Sequence, residues 1–564
     1  MDLFRLADVV LVDAGPAGHV AYSRDSGQTR RVEPELADAL RRADRWGPLE
    51  ALLPAGGGQA QTVGALRALA EDGFLVHAEE TPRAEHEPAR VTRLAFPTCD
   101  RLPALGRAVA GFLANGRRSG RTTPVLVADD STDPDTARAC RDLLAGLAER
   151  HRTDIRYLGR AEKQVLCQAL AGAAEVPEET VAFLVAPTRP AAGRRGTTVG
   201  ANRNALLLAT VGELVVCSDD DVRCRVSSTG GPQPGVRVRT SGGGTGAVPF
   251  GDRAESLRAL PAVDRDLLAL HEEWLGRRPP ASHRAGVDLS AATPATVRQL
   301  RGRDCRTLLT LPGFVGDCAW DNPDAGLVEG SAAAVTSREW LQGVDQVTVT
   351  PRPDPVFGIC MGWDGRQLLP PFAPVGRAED VAFGALFASC MPDAYAAYLP
   401  WAVLHDPQEA RGFDEIPTYD VGPGLWLASV LSWADPGLDP DPARRLEGVG
   451  RQLVDLSRLA GPDFEGFLQL QALRSLEGSV SSQFGPVDRL AGAHRDQVLR
   501  SIDRLSSAVL APVASRYSSP EGRAGAQRLL GALGAALSAW PAIAAAAREL
   551  RAAGHEWGSA VGSG

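Results

Sequence analysis

The sequence predicts an α/β protein: a mostly parallel sheet flanked by helices, with a small winged-helix-like module before it and a helical region after it. Three observations carry this. From Val91 onward short apolar runs alternate with amphipathic helical stretches, the order that builds parallel β–α–β units. Two of those runs end abruptly in acids, Asp129-Asp130 and Asp219-Asp220-Asp221. Past residue 435 the periodicity is helical throughout. At ~100–200 residues per domain, 564 residues give about three units, read as a module over 1–80, a linker over 81–90, an α/β domain over 91–435 and a helical region over 436–564.

In the module, Val9–Val12 and His19–Tyr22 flank a Gly/Pro turn and read as a hairpin. Helical patterns follow at Pro34–Ala43, around Leu49–Leu53 and over Val63–Asp72, and Gly73 stops the last before a short strand at Phe74–Val76. In the α/β domain the expected strands are Val91–Phe96, Val125–Ala128, Ile155–Leu158 and Leu214–Cys217. The expected helices are Leu102–Leu113, Asp135–Arg150, Ala161–Ala174 and Gly200–Thr210. The Gly/Ser-rich stretch Ser227–Gly246 reads as a mobile loop over a site. In the tail, Val498, Ile502, Leu505 and Val509 share one helical face. Leu529–Ala547 is uncharged and approaches the ~20 residues of a membrane span, but its Ala/Gly content and Pro541 favour a buried helix pair broken at that proline.

Composition excludes several classes. A net charge of −9 argues against DNA or anionic lipid as partners, because both need a positive field. The basic side is almost all arginine, with Lys163 the one lysine. Nine cysteines without a C-x-x-C pair favour a reducing, cytoplasmic setting over a zinc cluster or a disulfide framework. Met1–Gly15 lacks the basic and apolar regions of a signal peptide.

The strongest chemical signal is Val211–Asp221, an apolar strand running into three acids. Ligands sit at the C-terminal ends of parallel strands, and adjacent carboxylates are relieved by a hard divalent cation. The plainer alternative is a solvated acidic turn. Upstream, Gly200-Ala-Asn202-Arg203-Asn204 opens a helix, where backbone N–H groups and Arg203 can hold phosphate or fix the acidic loop. Asn202 alone also reads as a helix cap. Pro97-Thr98-Cys-Asp-Arg101 follows the first strand of the domain and Asp129-Asp130-Ser-Thr-Asp133 the second.

Taken in order, these three elements resemble the family 2 type of GT-A fold glycosyltransferase, closely over residues 90–225 and more weakly to about 410. The resemblance implies a nucleotide-sugar donor, a UDP-sugar first among them. Pro97, Thr98, Arg101 and Asp129 would then cradle the nucleoside. Asn202, Arg203, Asp219 and Asp220 would lie along the donor, and Asp219 and Asp221 would hold Mn²⁺ or Mg²⁺. The chain departs from the family in lacking the glycine usual after Asp129-Asp130 and in the length of 175–199.

Downstream, Glu379-Asp380 opens an apolar helix, whose positive end favours ionised carboxylates and so a general base. Simple helix capping is the alternative. The family has an acid pair here, which would make Asp380 the base beside Glu379. Similarly, His405, closing the run Leu399–Leu404, matches a third metal ligand, although a lone histidine here is also read as structural. Asp317, Trp320 and Trp363 are candidates for contacting the acceptor or sugar, since sugars stack on indole faces and bond to carboxylates. Loop packing is the alternative for these three.

Finally, the hairpin Val9–Tyr22, the helix in Val32–Leu40 and the closing helix and strand of Val63–Val76 resemble the PqqD-like peptide-recognition domains of ribosomal-peptide maturation. The resemblance implies a precursor or leader peptide bound by residues 1–80 as an added strand. The expectation is therefore an inverting, metal-dependent transfer of sugar to a peptide. Two rivals remain open: a polysaccharide, lipid-linked or small-molecule acceptor, and a non-catalytic nucleotide-sugar-binding protein.

Overall fold

The computed structural model describes residues 3–7, 9–15, 18–23, 28–53, 59–77, 90–187, 198–230, 233–279, 286–300, 302, 305–318, 338–407, 423–471, 474 and 519–561. The expected linker, apart from Arg90, Trp320 and the 498–509 face lie outside them.

The module contains β1 (Phe4–Leu6), β2 (Val9–Asp13), β3 (His19–Ser23), β4 (Thr29–Val32), α1 (Pro34–Arg42), α2 (Gln59–Glu71) and β5 (Leu75–His77), with a 3-10 turn at Leu49–Leu52. The expected hairpin is β2–β3, extended by β4 into a three-stranded antiparallel sheet, while β1 pairs with β5. Alternation sends Ala21 into the module core with Leu40, Leu66 and Phe74 and leaves Tyr22 exposed. The module packs on the larger domain: Ala7 and Val76 share a core with Val238, Leu289 and Ala292, and the Ala292 carbonyl accepts from Arg5 (2.5 Å) and Trp46 Nε1 (3.1 Å).

The larger domain begins with β6 (Arg93–Thr98), α3 (Leu102–Arg118), β7 (Val125–Asp129), α4 (Pro134–His151), β8 (Ile155–Leu158), α5 (Arg160–Ala174), α6 (Glu178–Val185), α7 (Val199–Ala209) and β9 (Leu214–Ser218). These four strands lie side by side, all parallel, in the order β8-β7-β6-β9. Apart from half-buried Arg93 and Arg156 their residues are buried and mostly apolar, as parallel strands covered on both faces must be. Helix α4 starts where Asp133 accepts from the amides of Asp135 and Thr136, with Pro134 in the first turn. It buries Cys140, Leu144 and Leu147 beside Leu105, Val109 and Phe112 of α3.

The sheet then becomes mixed through β10 (Val222–Ser228), β11 (Val236–Arg239), β12 (Gly246–Phe250), β13 (Val287–Ala291), β14 (Arg306–Asp317), β15 (Glu339–Gly343), β16 (Val347–Thr350), β17 (Cys360–Asp364) and β18 (Ala394–His405). Strand β17 runs antiparallel to β9, and β14 and β18 pair parallel to each other. The stretch Ser227–Gly246 is therefore not simply a loop, since β11 within it pairs with β13 and β16. Between the later strands lie α8 (Arg253–Ala259), α9 (Leu267–Glu272), α10 (Pro294–Leu300) and α11 (Glu379–Cys390).

The C-terminal helices α12 (Pro423–Ser432), α13 (Pro442–Ser457) and α14 (Pro520–Ala552) do not form a core of their own. Leu446, Leu453, Leu537, Trp540 and Ile543 bury in the same core as Leu206, Val215, Phe372 and Phe383. Helix α14 runs unbroken through Pro541, against the expected break. Among the described residues it is long and apolar enough to cross a membrane, and half of its most apolar window is buried. Beyond it β19 (Ser559–Ala560) pairs antiparallel with β8 and covers that edge of the sheet.

Candidate functional site

The tips of β6, β9 and β18 and the start of α11 converge on one group of charges. The loop after β6 and the acidic loop after β9 are bonded side chain to side chain. Thr98 Oγ1 donates to Asp220 (2.7 Å), and Arg101 bridges Asp220 (2.6 Å) and Asp221 (2.8 Å). Asp100 holds the loop in a left-handed turn (φ 57°), a conformation aspartate tolerates, and its amide donates to Ser131 (2.9 Å). Burial beside like charges pushes Asp219 up to about 7 and Asp220 up to about 6, against the pull of Arg203 and Arg101. Burial acts on Asp221 too, but the hydrogen bonds and charges of His405 and Arg101 outweigh it and hold its carboxyl well below the usual range.

A second link joins this loop to the acid pair. Arg203, fully enclosed, donates to Asp219 (2.6 Å), to the Gly358 carbonyl (2.7 Å) and to Glu379. Two glycines make room for it. A Cβ on Gly358 would lie 2.6 Å from the guanidinium, and one on Gly200 would meet the Ala373 carbonyl and the Glu379 side chain. So α7 abuts α11 because Gly200 stands in its first turn. Asp380, at the same helix start, is half-buried. The amides of Gly358 and Val381 each donate to it at 2.9 Å. Burial, with Asp380 alongside, lifts Glu379 above the ordinary carboxylate range despite Arg203. Ala378, just before the pair, is left-handed (φ 64°), a strained position for a residue with a Cβ.

His405 closes the group. Its Nδ1 lies against the Asp317 carbonyl, which can only accept, so Nδ1 carries a proton and Nε2 faces Asp221 at 3.3 Å. Burial disfavours the charged ring, yet the Asp221 bond and charge raise its affinity for a proton. For a dication the fit is as follows. Two ligands at right angles on an ion with bonds of ~2.1 Å lie about 3 Å apart, the spacing of Asp221 and His405. The carboxylate suits Mn²⁺ or Mg²⁺ and the imidazole beside it favours Mn²⁺ of the two, and the carbonyl on Nδ1 is the outer support a ligating histidine needs. Asp219 turns to Arg203, and Arg101 takes the other oxygen of Asp221. Among the described residues no three metal-ligating side chains therefore converge on one point.

Other candidates are placed differently. Asp129 is buried, with its oxygens accepting from Ser131 and from the Tyr157 hydroxyl (2.8 Å). Pro97 lies within β6. Asn202 is not a cap, because α7 begins before it. It donates to the Thr98 carbonyl (3.1 Å) and accepts from Lys163. Asp317 has its carboxylate held bidentately by Arg338 (2.5 and 3.0 Å), and it is its backbone carbonyl that meets His405. Trp363 is a correction: β17 lies between β9 and β14 and buries the indole completely, so no sugar reaches it.

Two groups escaped the sequence reading. Buried Lys163 ties Asp130 to Asn202, and Thr198 also donates to Asp130. Its uniqueness as a lysine was the available signal. Asp406, whose amide donates to the Asp221 carbonyl (2.8 Å), is gripped by Arg253 (2.5 Å) and Arg223 (2.8 Å). Nothing local in the sequence marks that pairing. No protein-family model matches this chain, and no curated protein sequence matches it.

Proposed function

We propose that the chain is a metal-dependent, inverting glycosyltransferase of GT-A type that uses a nucleotide-sugar donor. One observation carries the reading: Arg203 binds Asp219 of the acidic loop and Glu379 of the acid-headed helix at once. The donor side and the acceptor side of the motif order are thereby held together, with Arg101 and Thr98 of the first loop on the same acids.

In this reading Asp221 and His405 hold Mn²⁺ or Mg²⁺, with Asp219 beside them. When bound, the cation neutralises the departing diphosphate. Arg101, on the rim, pairs with phosphate oxygens. Asp380, oriented by two backbone amides and open on one side, takes the proton of the attacking acceptor group. Glu379 is committed to Arg203 and fixes that helix start, so the base role falls to Asp380. Donor hydrolysis with UDP- and GDP-sugars plus Mn²⁺ tests the reading. Turnover that disappears in Asp221→Ala supports it. A wild-type chain that neither hydrolyses nor binds any of these donors overturns it.

For the acceptor we propose a peptide, presented by residues 1–80. The support is the β2-β3-β4 sheet, whose strand β4 pairs on one side only among the described residues, and the packing of the module on the larger domain through Trp46, Arg5 and Ala292. Glycosylation of a candidate precursor peptide by the full chain, lost when its leader is removed, is the expected result. Equal transfer to leaderless peptide would remove the presenting role of residues 1–80, and no transfer to either peptide would return the choice to polysaccharide, lipid-linked or small-molecule acceptors.

A further inference from the structure

We propose that Arg101 is a built-in counter-cation of the acidic loop, which the donor's diphosphate draws away so that the loop can take up its dication. The inference rests on the glycosyltransferase reading above and adds a coupling between the two ligands. Arg101 places one nitrogen on Asp220 and another on Asp221, at 2.6 and 2.8 Å. It thus occupies the carboxylate oxygen of Asp221 that does not face His405. A dication on the oxygen that faces His405 would stand across one carboxylate from this guanidinium, and two cations that close repel strongly.

The two arginines of the site differ in freedom. Arg203 is 1% exposed and locked between Asp219, Glu379 and the Gly358 carbonyl. Arg101 stands at the N-cap of α3 with its side chain 37% exposed, over acids that are each 5% exposed. It is the one that can leave. The oxygens of a diphosphate can accept from both guanidinium nitrogens at once, as Asp220 and Asp221 together do here. Diphosphate binding then frees Asp221 for the dication, and by reciprocity the dication releases Arg101 to the diphosphate.

The test is Mn²⁺ binding, read from the EPR signal of the free ion, for wild type, R101Q and R101K, alone and with UDP or GDP. Unfolding curves for each protein establish that it is folded. Without nucleotide, R101Q should bind Mn²⁺ at least ~5-fold tighter than wild type, the low end of ordinary coupling between sites. R101K, which keeps a charge, should stay near wild type. Nucleotide should tighten Mn²⁺ binding by a larger factor in wild type than in R101Q. If folded R101Q binds Mn²⁺ no tighter than wild type, the counter-cation role is wrong while the glycosyltransferase reading stands. If neither protein takes up Mn²⁺ with or without nucleotide, both fall.

Discussion

Asp219 and Glu379 come from opposite halves of the chain and meet on a single guanidinium, that of Arg203. Arg203 sits in the middle of a helix that is otherwise mostly apolar and buried, so it is a charge taken out of water and offset by those two acids and the Gly358 carbonyl. Among the described residues its own Nε has no hydrogen-bond partner.

Removing it should therefore cost far more than a surface pair. Breaking a buried pair from one side typically costs ~3–5 kcal/mol, and Arg203→Met leaves Asp219 and Glu379 facing each other. Urea unfolding at pH 7.5 should show a loss of about 3 kcal/mol, with Arg203→Lys recovering only part of it because one ammonium cannot span both acids. A loss under ~1 kcal/mol, the level of an exposed pair, would show that the bridge is not formed in solution.

The two acids at the head of α11 should separate cleanly by substitution. Asp380 bonds only backbone amides among the contacts described, whereas Glu379 is tied to Arg203. Asp380→Asn should leave the unfolding midpoint almost unchanged and lower kcat by ~10²–10⁴, the usual range for a general base. Glu379→Gln should shift the unfolding midpoint while lowering kcat less. The reverse pattern would move the base to Glu379.

Much of this was legible in the sequence, and what was not has a physical reason. Strands that end in acids announce themselves because the apolar run and the charge are contiguous, so the tips of β7 and β9 were found with their acidic ends. Contacts between distant segments leave no such trace. Arg203 read either as a phosphate ligand or as a clamp on the acidic loop, and the structure shows it bound to Asp219, but nothing near it in sequence reveals Glu379. Trp363 looked like a sugar platform because burial between β9 and β14 depends on strand order. Glycine and serine in 227–246 masked β11, whose four residues are held by pairing on both sides. Pro541 suggested a break, but tertiary packing of Leu537, Trp540 and Ile543 carries the helix through it.

The facing pair Asp221 and His405 sets a pH dependence. Asp221 has a folded-state pKa below its unfolded value, so its contribution is present above about pH 4 and disappears as pH falls. His405 has one above its unfolded value, so its contribution is present below about pH 6.5 and is lost as pH rises through the folded value. Together they stabilise the fold from about pH 4 to beyond 6.5. His405→Asn should thus lower the melting temperature more at pH 6 than at pH 9. Because a ligating imidazole must shed its Nε2 proton, Mn²⁺ uptake should rise with a midpoint above pH ~6.5. Identical melting shifts at both pH values would rule out the ion pair.

The strap at the C-terminal end of the described chain should matter more than its length suggests. Trp557 is buried in the main core, Val561 donates to the Ile155 carbonyl (3.1 Å), and Ser559 pairs with Tyr157, whose hydroxyl bonds Asp129. A variant ending at Gly554 removes a core tryptophan, worth ~3–5 kcal/mol when truncated to alanine, and bares β8 as an open edge. It should melt well below the full chain and associate through that edge, visible as concentration-dependent light scattering. The single change Trp557→Ala keeps β19 and should reproduce the lower melting temperature without the scattering. If both variants scatter light and melt like wild type, the strap does not hold the edge of this sheet in solution.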